Sequence, residues 1–163
     1  RGIVLTGGGR TYHVPYMGFI GDYQSIPMLV PTRFNFPWLA RRVGTSFVNQ
    51  PAGATFTLQP GDLPQIVFHL DHPVRRVRME VFDAETGRAW HRALESWYFP
   101  RNSGPETFFA FAWDGTTSAG RRLYSLPDSR YVIRLSVQKA LGEDDNPAHW
   151  ETWTSPVITI DRP

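Results

Sequence analysis

The chain has 163 residues, of which 41% are hydrophobic and 20% charged, with a formal net charge of +2 and a pI near 9.2. These values point to a packed core of one domain, or one domain with part of a neighbour, and argue against disorder. The basic excess is too small to announce a nucleic-acid partner. Cysteine is absent, which excludes disulfide scaffolds and thiolate metal sites while leaving secretion open. No apolar run approaches the roughly 20 residues that span a bilayer, so no membrane partner is expected.

Fourteen prolines, fourteen glycines and a 14% aromatic share predict short strands joined by turns. The opening Arg1-Gly2-Ile3 lacks an initiator methionine or leader and reads as a cut end. No Asn-x-Ser/Thr acceptor occurs, so N-glycosylation is not expected. Residues 3–6 and 11–16 read as two strands around the turn Gly7-Gly8-Gly9. A glycine triplet can also cradle phosphate, but that use needs a following helix, and Arg10-Thr11-Tyr12-His13-Val14 is β-prone.

Residues 14–22 (Val14-Pro15-Tyr16-Met17-Gly18-Phe19-Ile20-Gly21-Asp22) begin as a strand and end in a glycine-rich bend. Residues 26–38 hold three prolines among Met28, Leu29, Phe34, Phe36 and Trp38. Such a stretch suits neither a helix interior nor a central strand, and reads as an extended connector pressed against a domain face. A short strand is predicted within 44–49.

From residue 55 the pattern becomes regular. Strands are predicted at 55–58, 65–70, 74–82, 88–94, 108–113, 131–138 and 152–160. Turns are predicted at 59–62, at 71–73, at 83–87 with Gly87 in the left-handed region, and at Asp114-Gly115. The alternation of Val77, Met79 and Val81 with Arg76 and Arg78, and of Ile133, Leu135 and Val137 with polar neighbours, marks half-buried strands. Many short strands with regular turns predict an all-β antiparallel sandwich.

Val14-Pro15-Tyr16-Met17-Gly18-Phe19, followed by Gly21-Asp22, resembles a segment found beyond the catalytic domain of large secreted subtilisin-like serine proteases (subtilases). Trp113-Asp114-Gly115, Gly120, Pro127-Asp128 and Tyr131 resemble the later part of the C-terminal fibronectin-III-like domain of that family. Ser129-Arg130 depart from it, standing where the family has glycine after the aspartate. The resemblance implies three regions: residues 1–30 as closing strands of a preceding fibronectin-III-like sandwich, 31–50 as a connector, and 51–163 as the C-terminal sandwich. The structural motif residues it singles out are Pro15, Tyr16, Gly18, Phe19, Gly21, Asp22, Trp113, Asp114, Gly115 and Tyr131.

No catalytic residue is assigned. Gly44-Thr45-Ser46 is followed by Phe47-Val48-Asn49, without the alanine or proline of the subtilase serine motif, and nothing in the sequence places a base beside Ser46. His69 and His72 would point to opposite faces of a continuing strand, a poor arrangement for one metal, and His13, His91 and His149 stand isolated. Glu143, Asp144, Asp145 and Asn146 gather oxygen ligands suited to Ca²⁺, but without EF-hand spacing; a solvated acidic loop is the simpler reading and no cofactor is expected. Arg75, Arg76 and Arg78, and Arg121-Arg122, read as solvated or edge-protecting charge, with polyanion binding as the alternative.

Trp97-Tyr98-Phe99 is the candidate exposed binding patch, because it is expected between strands. The other aromatics read mainly as core filling, with a sugar-stacking platform as the alternative. The resemblance implies a non-catalytic accessory region of an extracellular endopeptidase. Its partners would be the catalytic part of the parent or a second copy covering the N-terminal hairpin, whose open edge could also be covered by residues 26–38, and protein substrate. The alternative is an independent secreted module that binds a glycan or a protein surface.

Overall fold

The computed structural model describes residues 2–15, 18 and 21–163; Tyr16 and Phe19, two of the motif residues, lie outside the described residues. Among those described, the chain is all-β, with fourteen strands in two-, four- and eight-stranded sheets and short 3-10 turns at Tyr23–Ser25 and Pro147–His149. Strands β1 (Gly2–Gly7) and β2 (Arg10–Pro15) form the predicted hairpin. Gly8 and Gly9 take φ of +58° and +74°, the paired positive values that a two-residue turn of the right twist demands.

Among the described residues that hairpin pairs only with itself. Ile3, Val4, Leu5, Tyr12 and Val14 are between 45% and 56% exposed, so neither face is buried. The expectation that residues 26–38 could cover its edge is not met. Those residues turn to the sandwich instead: Met28 is fully buried in the main core and Leu29 bridges Leu70.

The larger sheet runs β11-β10-β8-β7-β12-β14-β5, with β13 also on β12. Its strands are β5 (Ala54–Phe56), β7 (Val74–Asp83), β8 (Ala89–Phe99), β10 (Thr116–Ala119), β11 (Arg122–Ser125), β12 (Ser129–Lys139), β13 (Trp150–Thr154) and β14 (Ile158–Ile160). At its centre Val77, Met79 and Val81 of β7 face Val137, Leu135 and Ile133 of β12, all fully buried. Each such side chain contributes roughly 1.5–3 kcal/mol by leaving water. The smaller sheet, β4-β3-β6-β9, consists of β3 (Trp38–Val43), β4 (Ser46–Asn49), β6 (Pro64–Phe68) and β9 (Phe109–Ala112). Leu39, Ile66 and Phe68 of this sheet join β7 and β12 residues in one core, which makes the two sheets a β-sandwich.

Several boundaries differ from the sequence reading. Residues 38–49, placed there in the connector 31–50, form β3 and β4 of the smaller sheet. Strands β10 and β11 were not anticipated, because short polar segments acquire their pairing only from the sheet they join. Strand β8 runs on through Trp97, Tyr98 and Phe99, which therefore do not lie between strands. Ser129 and Arg130 open β12, paired with Ile160 and Thr159, so extended backbone stands where a glycine turn would be.

The motif around Trp113 forms one unit. Trp113 is buried and its indole N–H donates to the Thr116 carbonyl at 2.8 Å. Asp114 Oδ1 accepts from Thr116 N and Oγ1, at 2.9 and 2.7 Å, and Gly115 turns at φ +84°. Tyr131 hydroxyl donates to the Pro127 carbonyl at 2.7 Å, forming a corner that closes the start of β12.

Candidate functional site

The predicted aromatic patch on β8 is split at Tyr98, whose backbone takes a positive φ of +53° and breaks the regular alternation of the strand. Phe99 points inward against Phe68 and Phe109, with ring centroids 6.3 and 4.8 Å away. Trp97 and Tyr98 remain outside, 46% and 81% exposed. One face of Trp97 is occupied by the Arg76 guanidinium at 4.4 Å, which also lies 4.8 Å from the Trp150 ring, while Arg78 is 5.1 Å from Trp150. Indoles and guanidinium groups therefore form a ladder across β8, β7 and β13, made by the cation–π attraction of desolvated arginine for aromatic faces.

Carboxylates complete this ladder. Glu95 Oε1 accepts from Arg76 and Arg78 at 3.4 and 3.3 Å, its Oε2 pairs with Arg92, and Asp144 pairs with Arg76 at 2.9 Å. The hydrogen bond from Gln138, with help from Arg76 and Arg75, holds the Asp144 carboxyl below the ordinary aspartate range. Arg75 donates to the Gly142 carbonyl at 2.8 Å. Arg76 and Arg78 are thus ion-paired within the fold, not a solvated run, and Asp144 is tied to the sheet, not left in a free acidic loop. Asn146 spends its Oδ1 on Ala148 N at 3.0 Å. Among the described residues no group of three or more His, Asp or Glu could hold a metal ion.

The histidines are held separately. His69 is buried, with Nδ1 2.6 Å from the Thr107 carbonyl and Nε2 3.1 Å from Asp71 Oδ1. His72 meets the Tyr23 ring edge to face, and His91 lies against Tyr124. His149 accepts from Glu143 N at 3.0 Å. Ser46 is exposed at the start of β4, and no hydrogen bond joins its hydroxyl to a histidine among the described residues.

An apolar cavity lies where the sequence suggested only a connector. Phe36, Ala40 and Val67 form a second small core on the outer face of the smaller sheet, with Phe34, Trp38 and Phe47 packed on it. Alternation explains it: Ile66 and Phe68 enter the main core while Val67 between them faces outward. A cavity of about 330 Å³ opens here among Phe34, Phe36, Trp38, Phe47 and Phe108, with Ser46 at its rim.

Trp38 also lines a groove of about 530 Å³, walled by residues 34–35, 37–39, 49–50 and 153–156. Its walls are fixed by backbone bonds, Gln50 N to Leu39 O at 2.7 Å and Ser155 N to Ile133 O at 2.9 Å. The sequence signal for this surface was the presence of large apolar residues, Phe34 and Trp38 among them, in a proline-rich stretch. The groove's other wall, around Trp153, is more than a hundred residues away in the chain. No protein-family model, curated protein or solved structure matches the chain.

Proposed function

We propose that the chain is a non-catalytic accessory region of a secreted subtilisin-like serine endopeptidase, with a fibronectin-III-like sandwich and an N-terminal hairpin from a preceding one. The observation that carries this reading is the packed unit of Trp113, Asp114, Gly115 and Tyr131, following Pro15, Gly18, Gly21 and Asp22 in the chain order of that family. A tyrosine whose hydroxyl returns to the backbone a few residues upstream is the corner used by immunoglobulin-like sandwiches. The hairpin adds support. A two-stranded hairpin is marginal alone, and one that exposes Ile3, Val4, Leu5, Tyr12 and Val14 suits a larger sheet or a neighbouring surface.

In this reading the hairpin packs on the catalytic part of the parent or on a second copy, the sandwich stabilises the enzyme, and its exposed surface guides protein substrates outside the cell. Among the described residues no hydrogen-bonded base activates Ser46. The test is to read the transcript upstream of the Arg1 codon. Segments carrying the aspartate, histidine and serine of a subtilisin-like domain are the expected result; a bare leader there would overturn the assignment. Peptide hydrolysis by the purified chain that disappears in Ser46→Ala would replace it with an enzyme.

A further inference from the structure

We infer that the groove between Trp38 and Trp153 is a binding site for neutral oligosaccharide. Its volume of about 530 Å³ lies within the range of small-molecule sites, roughly 300–1,000 Å³. It joins the two sheets of the sandwich, with the 34–39 segment and the end of β4 on one side and the β13–β14 connection on the other.

The chemistry of its lining names the ligand class. None of its residues is charged, although a fifth of the chain is. An anionic glycan, a phosphate or a charged peptide would therefore find no counter-charge there. Besides the indole N–H groups, the polar side chains present are amides and two hydroxyls, of which the Ser155 hydroxyl is engaged, accepting from Ile133 N and donating to the Pro156 carbonyl. The Asn35 and Asn49 side chains and the Thr154 hydroxyl make no hydrogen bond within the protein among the described residues. The same holds for the indole N–H groups of Trp38 and Trp153. Gln50 donates to the Val48 and Asn49 carbonyls, which fixes the side chain and leaves its Oε1 available.

Each free asparagine amide offers a donor beside an acceptor, the pattern that adjacent sugar hydroxyls match. The indoles provide an apolar wall with a polar tip, suited to a ring that has C–H faces and hydroxyl edges. A purely apolar ligand would leave these amides unpaired on being covered, which costs affinity. Neutral sugar satisfies both surfaces at once. This site is separate from the Trp97-Tyr98 surface, and its occupancy does not depend on the chain belonging to a protease.

The experiment is affinity electrophoresis of the whole chain through gels containing a neutral β-glucan or a mannan, with polygalacturonate and heparin as anionic probes. Retardation by a neutral polysaccharide is expected, weakened about tenfold by Asn49→Ala and by Asn35→Ala. Both positions are exposed, circular dichroism verifies the fold, and Asn35→Gly, which keeps the left-handed backbone of φ +58° at that position, gives the same loss of binding. Trp97→Ala should leave the retardation unchanged. Binding that is confined to the anionic probes, that persists in both asparagine variants, that is lost only in Trp97→Ala, or that is absent with every probe overturns the proposal.

Discussion

Trp113 and Tyr131 meet edge to face in the core, with ring centroids 5.7 Å apart and planes at 80°. Each ring is buried, and each sends its polar end back to a nearby carbonyl, Thr116 for the indole and Pro127 for the phenol. The pair thus couples the end of β9 to the start of β12 across the sandwich without leaving a buried donor unpaired. Replacing Tyr131 by Phe keeps the ring contact and removes only the hydroxyl bond. The expected loss is about 1 kcal/mol, read as a lower urea midpoint at unchanged slope. An unchanged midpoint would show that the corner bond is stability-neutral.

Gly115 sits on left-handed backbone against the ends of the Leu58 and Arg162 side chains, which a Cβ would have to displace. A Cβ there would lie 2.4 Å from Leu58 Cδ1 and 2.9 Å from Arg162 Nη2, on backbone with φ +84°. Overpacking and the left-handed conformation act together, so Gly115→Ala should cost about 2 kcal/mol or more. Thermal unfolding checks this; a variant as stable as the parent would mean that Leu58 moves aside without loss.

Glu151 holds the segment before β3 to the sandwich. Its carboxylate accepts from Met28 N and Leu29 N, each at 2.9 Å, and lies 3.6 Å from Lys139 Nζ, which itself donates to the Gln24 carbonyl. Glu151→Ala leaves the amide of the buried Met28 without its acceptor, a cost of about 1–3 kcal/mol. Faster hydrogen exchange at Met28 and Leu29, with the β7–β12 amides unchanged, is the expected signature. Uniform acceleration across both regions would mean that the clamp is part of the global fold.

Asp144 makes the 142–147 loop acid-sensitive. Its folded pKa lies below the ordinary 3.8, because the hydrogen bond from Gln138 and the charges of Arg76 and Arg75 favour the carboxylate over the opposing effect of burial. A depressed carboxyl contributes stability that is present above the unfolded value and lost as pH falls through the folded one. Acidification below about pH 4 should therefore loosen the loop and change the fluorescence of Trp150 and Trp97, which Arg76 joins. Asp144→Asn should remove that part of the acid response; an identical pH profile in parent and variant would assign it elsewhere.

The fold class was legible because its signals are local. The alternation in β7 and β12, the paired glycines of the first hairpin and the Asp114-Gly115 turn each depend on a few adjacent residues. The candidate site was legible only in fragments. Phe34, Phe36 and Trp38 stood out as large apolar residues in a proline-rich stretch, yet nothing near them indicated Asn49 or Trp153 as neighbours. Trp97-Tyr98-Phe99 looked like one patch, because a three-residue window does not show that the strand continues, or that the positive φ of +53° at Tyr98 sends Phe99 inward while Trp97 stays outside.

By itself the sequence determined the all-β class, the main strands and their buried faces, since period-two patterning and turn stereochemistry act over a few residues. Only the tertiary structure decided the extra strands β3, β10 and β11, the inward turn of Phe99 and the ion-paired state of Arg76. It alone created the uncharged groove between Trp38 and Trp153. These features arise from registers and contacts between segments far apart in the chain, where the free energy lies in what the folded core brings together.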